Sequence, residues 1–260
     1  MSEQHHWKTG MSHVEPNKIL IRGYPVQQVM GKLSFAGAVY LLWTGNVPTA
    51  EVEKLLNAMM IGSMDHGASP PSVLAGRTVA STGAPLNAAI AAGVLAFNKY
   101  HGAAVGDSMA MIRAVVERHE KTGKSLDEVA GEYLEELKAR NERAPGLGHR
   151  FHTEDPRTKT LFALARQCPI QEIYIEAMEA LRRALEKQVK RPMPINIDGT
   201  MAACLCEIGF PVELGNPLFI ISRVVGVTIQ AWEEQQREKP MRQIHPGDFE
   251  YDGPPERNLP

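Results

Sequence analysis

Six polar residues interrupt apolar helical stretches in this chain, and their types are those of acid–base and anion chemistry. His66 lies in Met-Asp-His-Gly-Ala-Ser, His101 follows an Ala-rich stretch and precedes Gly102-Ala103, and His149 sits in the turn-rich run Ala144-Pro-Gly-Leu-Gly-His-Arg150. Arg157 follows about two turns later, Asp198 stands between apolar residues at a helix start, and Arg223 breaks Phe219-Ile-Ile-Ser-Arg-Val-Val-Gly. A carboxylate and several imidazoles near a cleft can move protons, and arginines can hold carboxylates with a planar fork of donors. Each has a plainer alternative. Asp198 could be a helix N-cap, a histidine at a helix end could be a satisfied structural group, and Arg157 could be a solvated first-turn arginine. Arg223 is harder to dismiss, because a guanidinium among Ile and Val is costly unless an anion pairs with it. Three histidines and an aspartate could bind a metal, but no ligand pair has helical i, i+4 spacing, so the expectation is a site without metal.

The elements that must position these residues are helical almost throughout, with little strand-period alternation. Residues 33–43 form an apolar helix ended by Thr44-Gly45-Asn46, and Thr49 is a candidate N-cap for the next. The segment 88–100 is apolar on nearly every face and is expected to be the central helix of the main core. Residues 109–140 are amphipathic and charged, as on a smaller, more exposed unit. Asp155-Pro156 reads as N-cap plus proline at N1 of a helix through Leu164. Helices are expected over 172–189, 200–208 and 217–236, and the Pro/Gly-rich tail 240–260 is expected to be irregular.

Bulk properties narrow the function classes. Twenty-eight basic against 30 acidic residues leave a net charge of −2, which argues against non-specific nucleic-acid binding. No segment stays apolar long enough to span a bilayer, and the N-terminus lacks the basic start and apolar run of a signal peptide. A cytoplasmic enzyme with no membrane partner is the expectation. Cys168, Cys204 and Cys206 read as small buried hydrophobes.

Together the ordered segments resemble the citrate synthase superfamily. They are Ile21-Arg-Gly-Tyr-Pro-Val26, Leu41-Leu-Trp-Thr-Gly-Asn-Val-Pro-Thr49, Asp65-His-Gly67, His101-Gly-Ala103, Pro145-Gly-Leu-Gly-His-Arg-Phe-His-Thr-Glu-Asp-Pro-Arg157, Ser222-Arg223 and Tyr251-Asp-Gly-Pro254. The resemblance implies an all-α fold, with a large helical domain over 1–102 and 216–260 and a small one over 103–215. It implies Asp198 as the base that forms an acetyl-CoA enolate, His101 as donor to the enolate oxygen, and His149 as hydrogen-bond partner of the oxo-acid carbonyl. His66, Arg157 and Arg223 match the carboxylate-holding set. Gly146 and Gly148 would let backbone amides approach CoA, and Lys190 and Arg191 would meet its phosphates. No prosthetic group is implied; the CoA thioester is substrate or product, and a homodimer or larger homo-oligomer is expected.

Two departures matter. The chain is short for a citrate synthase, and in size and in Asn196-Ile-Asp-Gly199 it is similar to citryl-CoA lyase and the lyase module of ATP-citrate lyase. The arginine that synthases carry before a tail proline, contributed to the neighbouring subunit's site, is replaced by His245, with Arg242 three residues earlier. Citryl-CoA lyase is therefore the expected activity. A short citrate or 2-methylcitrate synthase is the alternative, and a non-catalytic CoA-binding regulator is a rival of another class.

Overall fold

The computed structural model describes residues 7–102, 104–149 and 153–259. Ala103, at the expected boundary between the two helical units, and Arg150, Phe151 and His152 of the loop motif lie outside the described residues, as does the segment 1–6.

The chain opens on strands β1 (Ser12–Glu15), β2 (Lys18–Ile21) and β3 (Tyr24–Pro25), which form an antiparallel sheet in that order, Glu15 opposite Lys18 and Leu20 opposite Pro25. The sequence pattern does not announce this sheet, because strands of four, four and two residues are too short to display an alternation. Eleven α-helices follow among the described residues: α1 (Val26–Lys32), α2 (Phe35–Thr44), α3 (Ala50–Ser63), α4 (Pro71–Ser81), α5 (Leu86–Leu95), α6 (Ala104–Thr122), α7 (Leu126–Ala139), α8 (Pro156–Ala165), α9 (Ile173–Val189), α10 (Ile197–Glu207) and α11 (Gly215–Arg237). The fold is all-α in character, as expected.

Local chemistry sets several helix ends. Ser34, Thr49, Ser125 and Asp155 each accept a backbone N–H from the first turn of α2, α3, α7 and α8. Ser125 and Glu128 complete a reciprocal capping box, and Pro156 occupies the first turn of α8, where its missing N–H costs nothing. Gly45, at φ 81°, closes α2 in the left-handed conformation that favours glycine. Arg22 donates from Nε to the Leu42 carbonyl at 2.8 Å, tying the sheet to the end of α2.

The centre of the core is not where composition placed it. The central helix is α10, in which Ile197 and every residue from Gly199 to Cys206 are buried, packed on α6, α8 and α9. Helix α5 buries only Ala89 and Gly93, and its Leu95 is 77% exposed. Both helices are rich in apolar residues, but among the described residues α5 packs chiefly on α4 and α11, which leaves apolar surface such as Leu95 exposed. Helix α6, amphipathic as its sequence shows, buries Val105, Met109, Ile112, Val115 and Val116 and packs chiefly on α7, α9 and α10. A small cluster of Ala80, Ala89 and Ala231 joins α4, α5 and α11 separately.

Helix α11 also corrects an expectation. The segment Val212–Arg237 is long and apolar enough, by length and composition, to cross a membrane. Here it packs against α3, α4, α5 and α6 and buries Arg223 and Glu234. All three cysteines are buried and unpaired, and burial pushes the thiols of Cys204 and Cys206 above the usual range.

The tail is irregular apart from a short turn at Pro246–Asp248, and it is anchored at its start. Met241 N–H donates to the Ser81 carbonyl at 2.8 Å, and the Arg242 guanidinium forks onto the buried carboxylate of Glu234 on α11. Glu234 also receives Arg77 Nε at 2.7 Å, so one buried carboxylate joins α4, α11 and the tail.

Candidate active site

A cleft of about 350 Å³ gathers residues from six separate parts of the sequence: His66, His101, His149, Arg157, Asp198 and Arg223 all line it. Each arrives from a loop, a first turn or a helix face beside a break. His66 follows α3, His101 lies in the loop between α5 and α6, and His149 ends the described loop after α7. Arg157 stands in the first turn of α8, Asp198 in the first turn of α10, and Arg223 in the middle of α11.

Asp198 is not the N-cap of its helix. That position belongs to Asn196, whose Oδ1 accepts the N–H groups of Asp198 at 3.0 Å and Gly199 at 3.2 Å. The Asp198 carboxyl is thereby left free for other work. Among the described residues, its Oδ1 is a buried oxygen with no hydrogen-bond partner. Burial pushes its pKa from 3.8 up to about 6, against the opposing pull of the Arg223 and Arg157 charges. Such a group can give or take a proton near neutral pH.

His101 is fixed differently. The loop folds back so that Asn98 and His101 exchange backbone hydrogen bonds at 2.8 Å, and the imidazole stacks on Phe97 with ring centres 5.0 Å apart. Its Nε2 accepts the Ser72 backbone N–H at 3.3 Å and lies 2.8 Å from the Ser72 hydroxyl, at the N-terminus of α4. A backbone N–H can only donate, so the amide contact uses Nε2 as an acceptor, which corresponds to the tautomer with its proton on Nδ1. In that tautomer Nδ1–H is the ring's hydrogen-bond donor. His101 does not end a helix as the sequence suggests, because α5 stops at Leu95.

The two cleft arginines are held unequally. Arg157 forks onto Asp155, with Nε to Oδ1 at 2.9 Å and Nη2 to Oδ2 at 2.7 Å, while Nη1 donates to the Gly62 carbonyl at 3.0 Å. One hydrogen remains on each Nη for an anion. Arg223, 3% exposed, donates from Nε to the Ser63 carbonyl at 2.6 Å and lies over the Phe219 ring. Among the described residues no carboxylate forms an ion pair with its guanidinium. Burial lowers its pKa, opposed by the negative charges of Asp198 and Asp65. His66 and His149 meet edge to face with ring centres 5.8 Å apart.

A second, more open cleft of about 910 Å³ adjoins the first and shares Gly148 and His149 with it. Lys138, Arg143 and Arg191 give it positive charge, and Leu134, Leu137 and Leu147 give it apolar surface. Arg191 lines this cleft; Lys190, in the left-handed conformation at the end of α9, is not among its lining residues. Gly148 lines both clefts, and both glycines are also tied into the chain's own packing. The Gly148 amide donates to the Pro194 carbonyl at 2.7 Å, so it is engaged within the chain rather than presented to a ligand. Gly146, at φ 77°, is required by packing: a Cβ there would lie 2.5 Å from Gly199 Cα and 2.6 Å from Ser108 Oγ.

Arg242 and His245 do not line the cleft of their own chain. Arg242 is paired with Glu234, and His245 accepts the Gly247 N–H at 3.1 Å at the start of the tail's short turn. Three residues that shape the site were not assigned to it from sequence: Ser72, Asp155, which was read only as a helix cap, and the cap Asn196. The signals were present in Ser69-Pro-Pro-Ser72, in the Asp-Pro cap and in Asn196-Ile-Asp198. They read as helix-start chemistry, and nothing local shows that these helix starts converge.

A family model described as the citrate synthase C-terminal domain matches residues 48–246. Citrate synthase from Helicobacter pylori is 28% identical over 91% of this chain and 55% of its own length, and the chain spans about half the length of the curated relatives it matches. The solved structure of citryl-CoA lyase from Hydrogenobacter thermophilus superposes with a TM-score of 0.88 and 38% identity, covering 98% of both chains. ATP citrate lyase from Methanosaeta concilii, solved with (3S)-citryl-CoA, shares the fold at a TM-score of 0.84 and 19% identity, over 98% of this chain and 43% of that one. With the family's domain matched across the cleft residues from His66 to Arg223, this chain belongs to the citrate synthase family.

Proposed function

We propose that this chain is a citryl-CoA lyase, cleaving citryl-CoA to acetyl-CoA and oxaloacetate. The observation that carries the reading is the convergence, in one cleft, of the buried Asp198 carboxyl, whose Oδ1 has no hydrogen-bond partner among the described residues, with the His101 imidazole anchored at Ser72. His149 assists removal of the proton from the tertiary hydroxyl. The bond between the carbinol carbon and the acetyl methylene breaks, and its electron pair moves onto the thioester as an enolate. His101 Nδ1–H stabilises the enolate oxygen, and Asp198 delivers its proton to the enolate carbon. Arg223, the remaining hydrogens of Arg157, and His66 hold the carboxylates of the oxo acid. The CoA portion occupies the adjoining cleft beside Arg143 and Arg191. The reading draws further support from coverage of 98% of each chain against the Hydrogenobacter citryl-CoA lyase.

Citrate or 2-methylcitrate synthase is a second reading, favoured by the names of the curated relatives, which include a citrate/2-methylcitrate synthase from Bacillus subtilis. The two differ in thioester hydrolysis. Given citryl-CoA, a lyase forms oxaloacetate and acetyl-CoA without free thiol. Stoichiometric thiol release from acetyl-CoA plus oxaloacetate, with no oxaloacetate formed from citryl-CoA, would overturn the lyase reading.

The active form is proposed to be a homodimer or larger homo-oligomer, since Phe35, Leu95, Val225, Ile229 and Trp232 are exposed on α2, α5 and α11. Sedimentation at assay concentration should give at least a dimer; a monomer with full activity counts against it.

A further inference from the structure

Asn196 makes more hydrogen bonds than a helix cap needs. Its Oδ1 takes the two N–H groups that begin α10, which is the whole of the capping task. Its Nδ2 points the other way and donates to the Gly148 carbonyl at 3.0 Å, immediately before His149. Its own backbone N–H donates to the Gly146 carbonyl at 3.0 Å. Around this residue the 146–148 loop pairs with 194–196 in strand-like fashion: Leu147 bridges Ile195 and the Gly148 N–H reaches the Pro194 carbonyl. Beneath it, Gly146 and Gly199 lie so close that neither could carry a Cβ without displacing the other.

We infer that Asn196 is a positioning residue that clamps the loop presenting His149 to the helix start presenting Asp198, and so sets the distance between the two halves of the cleft. This inference rests on the citryl-CoA reading above, in which Asp198 serves the acetyl carbon and His149 the carbinol oxygen. Those groups flank the bond that breaks. A shift of the loop against the helix leaves each group intact but misaligned, and a misplacement of about 1 Å can cost about 100-fold in rate.

Asn196→Ser separates clamp from cap. Serine caps about as well as asparagine, but one short hydroxyl cannot serve the α10 amides and reach the Gly148 carbonyl. Three readouts decide the matter. In the ligand-free chain, amide hydrogen exchange at 146–149 should quicken by about 10-fold while α10 stays protected. Citryl-CoA cleavage should fall by about 10- to 100-fold in kcat. Exchange of the acetyl-CoA methyl hydrogens with solvent should change by less than about 3-fold, because enolisation needs Asp198 and His101 but not the clamped loop. That exchange is followed with malate present, which carries a hydroxyl in place of the oxo group and cannot condense. Asn196→Asp, which keeps the cap but sets an acceptor against the Gly148 carbonyl, should quicken the same loop amides and stands in if the serine variant does not fold. Unchanged loop exchange in either variant overturns the clamp, as does equal loss of cleavage and methyl exchange. Quickened loop amides in a protein whose wild type does not cleave citryl-CoA would leave the clamp standing and remove the lyase reading instead.

Discussion

The substitution Asp198→Asn should abolish turnover and make the protein more stable at neutral pH. The side chains are nearly isosteric, so packing is conserved, but an amide can neither deliver a proton to an enolate carbon nor accept one from a methyl group. Loss of a positioned acid–base group costs about 100- to 10,000-fold. The stability gain follows from the raised pKa. In the unfolded chain the carboxyl titrates near the ordinary 3.8, and in the folded chain at about 6. The native state therefore binds the proton more tightly, and ionising the group costs the fold free energy. That cost is absent below about pH 4, grows as the pH rises through about 6, and is then constant. A displacement of about two units corresponds to about 3 kcal/mol as an upper figure. The amide carries no charge at any pH, so the variant should unfold at higher temperature than wild type at pH 8 and at the same temperature near pH 4. Thermal melts at both pH values, with turnover on the same preparations, test this. A variant less stable than wild type at pH 8 would mean that the ionised carboxylate makes favourable contacts that outweigh its burial.

The sequence showed the parts of this site better than their assembly. Asp198, His101, His149, His66, Arg157 and Arg223 were legible because each stands within or at the end of an apolar run, and polar groups at such places face either solvent or a shared cleft. The caps at Thr49 and Asp155 were legible because capping is a contact between near neighbours. What stayed hidden depends on distant partners. The segment 88–100 and α10 have similar apolar composition, yet one lies at the surface of the chain and the other at its centre, since α10 alone is enclosed by α6, α8 and α9. Only the fold shows that Ser72 meets the His101 imidazole across 29 residues, and that Asn196 rather than Asp198 caps α10. Arg242 illustrates the same limit. Its place before the tail proline suggested a contact in the neighbouring subunit's site, and nothing in its spacing announced that within its own chain it forks onto the buried Glu234.

Arg223 offers the other large effect, and replacement by methionine separates its two possible roles. A structural arginine is buried with a carboxylate partner, and losing it destabilises the fold by leaving that partner unpaired. Arg223 is buried with a backbone carbonyl and an aromatic ring but, among the described residues, without a carboxylate in an ion pair. Desolvation of its charge is therefore poorly offset until an anion enters the cleft. Methionine fills much of the same volume without the charge, so the thermal midpoint of Arg223→Met in the absence of ligand should equal or exceed that of wild type. Oxaloacetate affinity should fall by about 30-fold or more, equivalent to about 2 kcal/mol, because a dicarboxylate loses a charge-assisted partner in a desolvated site. Calorimetric titration with oxaloacetate measures the second quantity. The rise in melting temperature on adding oxaloacetate, large for wild type and small for the variant at equal ligand concentration, checks it independently. A variant that melts early yet binds oxaloacetate normally would show that the guanidinium holds α11 to Ser63 and plays no part in substrate recognition.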